Sequence, residues 1–192
     1  MRIGLFGGTF DPVHNGHLTL AREAARRCGL DRVLLIPAGR PPHKAAGPHA
    51  PYLDRLRMVE LACRNEPRLE PSRLEEGPQK SYTFDTIARL RTQVAPGDSL
   101  YFLIGADAFA EIETWHRWTE VVRAVEFIVV SRPRRHYEIP AEARVQRLDD
   151  LEVPTSSSEI RRKIAQGDFN IDVPHEVLQY IKDRGLYSSC SS

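Results

Sequence analysis

The chain has 192 residues, which at roughly 150 residues per domain favours a single domain. Hydrophobic residues make up 41% and charged residues 28%, a balance that excludes a disordered chain and fits a globular one long enough to bury a full core. The formal charge of +1 argues against a protein built to coat nucleic acid, so no nucleic-acid partner is expected.

Along the chain, apolar runs alternate with amphipathic stretches. Ile3 to Phe6 reads as a buried first strand, too short for a signal peptide. A Gly-rich turn follows, then a helix from about Gly16 to Cys28 with Leu18, Ala21, Ala25 and Cys28 on one face and Gly29 as its stop. Val33 to Ile36 is a second strand. Residues 37–51 hold five of the 14 prolines and read as a loop. Asp54 to Arg64 is a helix, Leu69 to Leu74 a short strand, and Ser81 to Val94 a helix stopped by Pro96-Gly97. Leu100 to Ile104 is a strand, Ala108 to Arg123 a helix, Phe127 to Val130 a strand and Val145 to Leu148 a weak last strand. Helices at Ser157–Gln166 and Pro174–Arg184 close the chain. Strands separated by helices imply a doubly wound parallel α/β sheet with right-handed crossovers and a helical C-terminal end. We expect one domain over residues 1–187 and a frayed Ser-rich tail over 188–192. Ligands in such a fold sit at the carboxyl ends of the strands, near the switch in strand order.

Cys28, Cys63 and Cys190 are odd in number and lack CxxC spacing. This predicts neither a disulfide framework nor a zinc site, and it fits a reducing, cytoplasmic setting. Cys28 and Cys63 are expected in the core. No apolar run approaches 18 residues, so no membrane span is expected. Oligomeric state is not readable, and a homo-oligomer stays open.

Between the first strand and the first helix the chain reads Gly7-Gly8-Thr9-Phe10-Asp11-Pro12-Val13-His14-Asn15-Gly16-His17. This is neither a P-loop nor a dinucleotide fingerprint, yet it stands where those motifs stand. Gly7 and Gly8 leave backbone amides bare for a phosphate. His14 and His17 lie three apart at a helix start, so both imidazoles point to one side at the positive end of the dipole. Gly16 keeps a side chain out of a nucleotide's way. Such a cluster can donate to a phosphate that gains charge in a transition state. Three other readings stand beside it: the start of a metal site, satisfied structural histidines, and a general base supported only by Asp11.

Residues 7–17 resemble the HxGH signature of the nucleotidylyltransferase superfamily, and specifically that of the nicotinate-nucleotide adenylyltransferases. The resemblance implies a Rossmann-like nucleotidylyltransferase fold, ATP contacts by Gly7, Gly8, Thr9 and Phe10, and catalysis by His14 and His17 at the ATP phosphates.

Later segments add to the resemblance, which extends to about residue 185. Ser156-Ser157-Ser158-Glu159-Ile160-Arg161 is similar to the family's Ser-Ser-Thr-x-Ile-Arg phosphate motif. Physically it is a hydroxyl-rich helix start, capped by Ser157 or Ser158, with Arg161 adding a phosphate fork; an ordinary capped helix with a surface Arg is the bland alternative. Thr155 stands where the family commonly has Ile. Gly105-Ala106-Asp107 follows a strand end and resembles the family's Gly-x-Asp motif, whose carboxylate binds the sugar region. Asp107 could equally cap helix 108–123. Trp115 and Trp118 fall on one helix face, where core packing is the default. The resemblance gives Trp115 a stacking role on the cationic pyridine ring and leaves Trp118 as the core member. It also gives the amides of Tyr82 and Thr83 to the nicotinate carboxylate, an anion that suits a helix N-terminus. Lys44 would reach the phosphates from the Pro-rich loop. Arg132, at another strand end, could contact phosphate, whereas Arg134 and Arg135 read as surface.

The implied reaction is adenylyl transfer from ATP to nicotinate mononucleotide. The mononucleotide phosphate attacks the α-phosphorus in line, pyrophosphate leaves, and no covalent intermediate forms. The protein supplies position and charge neutralisation, with His14, His17, Lys44 and Arg161 at the phosphates. Mg²⁺ is expected, held through substrate phosphates rather than a protein cage. The alternatives are a phosphopantetheine adenylyltransferase, which usually carries Thr in place of His14, and a non-catalytic nucleotide sensor on the same fold.

Overall fold

The computed structural model describes residues 1–40, 47–131, 137–151 and 154–188. Lys44, Arg132, Arg134, Arg135 and Cys190 therefore lie outside the described residues. Six strands form one all-parallel sheet: β1 (Arg2–Gly8), β2 (Arg32–Pro37), β3 (Leu69–Pro71), β4 (Ser99–Gly105), β5 (Glu126–Val130) and β6 (Arg144–Leu148), in the order β3-β2-β1-β4-β5-β6. The order reverses between β1 and β4, which places the expected ligand crevice over Gly8 and Gly105.

Successive side chains of each strand enter opposite layers, as the strand's two-residue period demands. Val33, Leu35, Tyr101, Leu103 and Ile128 join the core covered by α1 (Asn15–Arg27), α2 (Tyr52–Cys63), α6 (Ser157–Ala165) and α7 (His175–Arg184). Leu34, Ile36, Phe102, Phe127 and Val129 join the other, covered by α3 (Thr83–Arg91), α4 (Ala106–Phe109) and α5 (Trp118–Ala124). Near-continuous apolar strands are what a sheet buried on both faces requires. Cys28 and Cys63 are both buried and unpaired. Among the described residues no helix is long and apolar enough to cross a membrane.

The largest departure from the sequence expectation lies at 108–123, where no continuous helix forms. The chain makes α4, a 3₁₀ turn at Ile112–Thr114, and then α5. Trp115 leaves the turn with extended backbone (φ −74°, ψ 146°), and Arg117 is left-handed (φ 55°). Thr114, Trp115 and His116 are weak helix formers, and tertiary packing overrides their helical spacing. The guanidinium of Arg117 lies 3.7 Å from the centre of the Phe84 ring, fastening the break to α3. Trp115 and Trp118 therefore do not share a helix face, although both pack on the same core layer. Two other helices shift at their ends: the helix expected at 81–94 is Thr83–Arg91, and that expected at 54–64 is Tyr52–Cys63. The strand expected at 69–74 stops at Pro71, and the Ser72 N–H makes the last bond to β2, donating to the Leu35 carbonyl at 2.9 Å.

Candidate active site at the switch point

β1 delivers Gly7 and Gly8 to the crevice. A Cβ on Gly8 would meet the Phe10 ring at 3.0 to 3.2 Å. The glycine is needed because Phe10, itself left-handed (φ 48°), folds its ring back beneath the strand end. Phe10 is only 1% exposed, so its ring is packed away from any ligand.

His14 is the N-cap of α1 and His17 its third residue, as the spacing predicted. Their rings stack at 3.7 Å. The His14 backbone N–H donates to His17 Nδ1 at 3.2 Å, so a neutral His17 carries its proton on Nε2, free of the cap. His17 also packs on the Phe10 and Phe6 rings. Burial pushes the His17 pKa down to about 3, and neighbouring His14 depresses it further. Burial lowers His14 to about 4, partly opposed by the Asp172 carboxylate. His14 Nδ1 is buried with no hydrogen-bond partner among the described residues. At neutral pH the pair is therefore uncharged and ready to donate rather than to repel.

The second motif closes on the first. Arg161 Nη1 donates to the Asp11 carbonyl at 2.7 Å, and Ser157 Oγ donates to the Pro12 carbonyl at 2.9 Å. The cap of α6 is Ser156, which accepts from Glu159 N–H, rather than Ser157 or Ser158 as the sequence suggested. Ser157 is occupied across the interface, and Ser158 sits 3.4 Å from Arg161 Nη2. Thr155, the departure from the family pattern, donates to Asp172, whose other carboxylate oxygen accepts from Asn15 Nδ2. Its hydroxyl thus helps hold the start of α1.

Two residues underlie this arrangement that the sequence reading did not assign. Asp11 was weighed only as a weak base. Its carboxylate is buried and accepts from the amides of His49 (2.7 Å) and Ala50 (3.0 Å) and from the Tyr187 hydroxyl (2.8 Å). Burial alone would raise its pKa. The His49 amide, the Tyr187 hydroxyl, the Ala50 amide and the Arg161 charge outweigh that and hold it below the usual carboxylate value. A carboxylate so saturated serves as an anchor, not a base. Arg55 is 1% exposed and donates to the Thr9 and Ala50 carbonyls. The cue for Asp11 was its place inside the motif; a buried Arg in a helix gives no pattern cue.

Three adjoining cavities continue the crevice. One of about 260 Å³ is lined by Gly7, Gly8, Phe102, Gly105 and Trp115. Another of about 330 Å³ lies on the β5 side against Phe6, Gly105, Asp107, Ser131 and Leu151. The third, of about 280 Å³, is bounded by Tyr82, Thr83, Glu111, Trp115 and His116. Asp107 is the second residue of α4, whose N-cap is Gly105, so it does not cap a helix at 108–123. Tyr82 caps α3 and its ring lies 4.5 Å from that of His116, a residue the sequence reading did not single out. The Trp115 indole is half-buried, edge-on to Phe102 at 5.9 Å. Ser81 joins this mouth to the end of β2: its Oγ accepts from Gly39 N–H (3.0 Å) and Arg40 N–H (3.1 Å).

The cytidylyltransferase-like family model matches residues 5–163. A probable nicotinate-nucleotide adenylyltransferase of Solibacter usitatus is 62% identical over 188 residues, covering 98% of this chain and all of that one. The nicotinate-nucleotide adenylyltransferase of Bacillus subtilis is 38% identical, covering 98% of this chain and 99% of its own. In solved structures, the Plasmodium falciparum nicotinic acid mononucleotide adenylyltransferase complexed with NaAD superposes with a TM-score of 0.79. It is 18% identical, and the match covers 97% of each chain.

Proposed function

The chain belongs to the nicotinate-nucleotide adenylyltransferases of the cytidylyltransferase-like family, and from that premise we infer that it transfers the adenylyl group of ATP to nicotinate mononucleotide, giving deamido-NAD and pyrophosphate. The observation that carries the reading is the stacked, neutral His14–His17 pair, joined through the Asp11 and Pro12 carbonyls to Arg161 and Ser157 beside the switch-point crevice.

The reaction needs no protein nucleophile, because the mononucleotide phosphate is already an anion. His17 Nε2–H and the His14 ring donate to phosphate oxygens as negative charge shifts toward the leaving pyrophosphate. Arg161 adds its fork, and the α6 N-terminus with Ser156, Ser157 and Ser158 faces the same anion. Gly7, Gly8, Thr9 and Phe10 offer backbone to ATP, and Gly105 and Asp107 bound the sugar. Lys44 and Arg132 keep their phosphate roles as part of the proposal. The acceptor enters between Trp115 and the α3 N-terminus, where the Tyr82 and Thr83 amides favour a carboxylate over an amide and the indole face suits a pyridinium.

Mg²⁺ is proposed as the partner of ATP, with phosphate oxygens and water as its donors rather than a protein cage. Bound there, the ion would supply charge neutralisation on the phosphates. The buried, unpaired Cys28 and Cys63 suit the reducing cytoplasm in which we place the reaction.

The test is pyrophosphate release from ATP and Mg²⁺ with nicotinate mononucleotide, nicotinamide mononucleotide or phosphopantetheine. Release mainly with the first is the expected result. Equal release with the first two would remove the helix-terminus account of acid preference. Release only with phosphopantetheine would overturn the substrate, and ATP binding without any release would favour a sensor.

A further inference from the structure

A tyrosine near the end of the described chain reaches the phosphate motif 176 positions away. α7 ends in Gly185 (φ 60°), and Leu186 N–H closes back on the Ile181 carbonyl at 3.0 Å. Tyr187 then takes a left-handed backbone (φ 65°) that a bulky side chain rarely adopts. Such a conformation persists only where the surroundings hold it. Here the ring is packed against the α1/α2/α6/α7 core layer, and the hydroxyl lands 2.8 Å from Asp11 Oδ1.

Asp11 is the hinge between three segments. Its carboxylate binds the loop entering α2 through the His49 and Ala50 amides, and its carbonyl takes Arg161 Nη1. The charged and titratable groups facing the carboxylate are His49, whose Nδ1 lies 3.4 Å away, together with Arg55, Arg161 and Tyr187. The first two amides fix the carboxylate from the α2 side only. The Tyr187 hydroxyl approaches from the C-terminal strap as the third donor to the carboxylate.

We propose that Tyr187 is a positioning residue for adenylyl transfer: by donating to Asp11 it fixes the Asp11–His14 segment, and with it the alignment of the His14–His17 pair against Arg161. The proposal rests on the adenylyl-transfer reading. It assigns the end of α7 a part in the chemistry and not only in the packing of the core. Groups that act mainly on the transition state show their misplacement in kcat, while ground-state binding of either substrate is largely spared.

The experiment compares Tyr187→Phe with Tyr180→Phe. Tyr180 is a matched control on α7 itself, its hydroxyl donating to Asp54 at 2.7 Å and not to Asp11. Both variants keep the ring and lose one hydroxyl bond. Tyr187→Phe is expected to lower kcat about tenfold with both KM values within about twofold, and Tyr180→Phe to leave kcat unchanged at a similar melting temperature. Asp11→Asn and the double Asp11→Asn/Tyr187→Phe complete a cycle in which the double loses no more kcat than Asp11→Asn alone. Wild-type kcat in Tyr187→Phe, equal losses in the two Phe variants, or multiplicative losses in the cycle would each overturn the proposal. If Asp11→Asn does not fold, the Phe pair decides. Absence of pyrophosphate release by the wild-type chain would instead strike the parent reading.

Discussion

His14 and His17 show how burial sets chemistry at a single residue. Both would be half-charged near pH 6.5 in water, yet in the fold burial keeps them neutral down to about pH 4 and 3. His17→Ala should therefore remove one donor and lower kcat by more than ~100-fold while the fold persists, as loss of a transition-state donor commonly does. Circular dichroism and steady-state kinetics on the same sample check it. The same shifts carry a stability consequence. A histidine with a depressed folded pKa takes its proton only on unfolding once pH drops below about 6.5. Its stabilisation is thus complete above that pH and is lost as pH falls toward 4 and 3. Each should contribute a slope of up to about 1.4 kcal/mol per pH unit in that window. Urea unfolding from pH 7 to 4 should show the loss, and replacing both histidines by Gln should flatten it. Asp11, with its pKa held low, begins to lose its own contribution only below its ordinary value of 3.8, beneath the pH 7 to 4 range of the urea series.

At the scale of elements, the site depends on how segment ends are fastened. Gly39 follows β2, and a Cβ there would lie 2.1 Å from the Glu75 carbonyl oxygen. A backbone oxygen cannot step aside as a side chain can. Gly39→Ala should therefore cost about 1–3 kcal/mol, the range for overpacking, measured by chemical denaturation. Because Ser81 holds Gly39 and Arg40 by their amides, the strain should also reach the Tyr82–Thr83 mouth and raise KM for nicotinate mononucleotide more than KM for ATP. The break between α4 and α5 belongs to the same scale. Periodicity at 108–123 read as one helix, but the Arg117–Phe84 contact and the left-handed turn divide it. The division leaves Trp115 on the cavity wall instead of along a helix face.

For the whole molecule, the two-layer burial of the sheet governs what is accessible. Cys28 and Cys63 are both buried, and burial pushes the Cys63 thiol up to about 12. In a Cys190→Ser background, neither should react with a thiol reagent such as DTNB until the domain unfolds, so reaction should track the unfolding transition. Early reaction of one thiol would mean that its layer opens locally.

The sequence by itself determined the strands, to within their ends, and the HxGH motif between β1 and α1, whereas the strand order that sets the switch point is tertiary. Apolar runs, helix spacing and a contiguous motif are local signals that survive in one dimension. That His14 and His17 share one side of the helix start followed as directly, since residues three apart there face the same way; that their rings stack is seen only in the structure. Only the tertiary structure decided the rest. Asp11 became an anchor because Tyr187, His49, Ala50 and Arg161 arrive from distant parts of the chain, and Arg55 became a buried strut beneath Thr9. Ser156 took the cap because Ser157 was drawn across to Pro12. Each of these choices compares a local preference with a partner brought near by the fold, and no periodicity within a single segment records that partner.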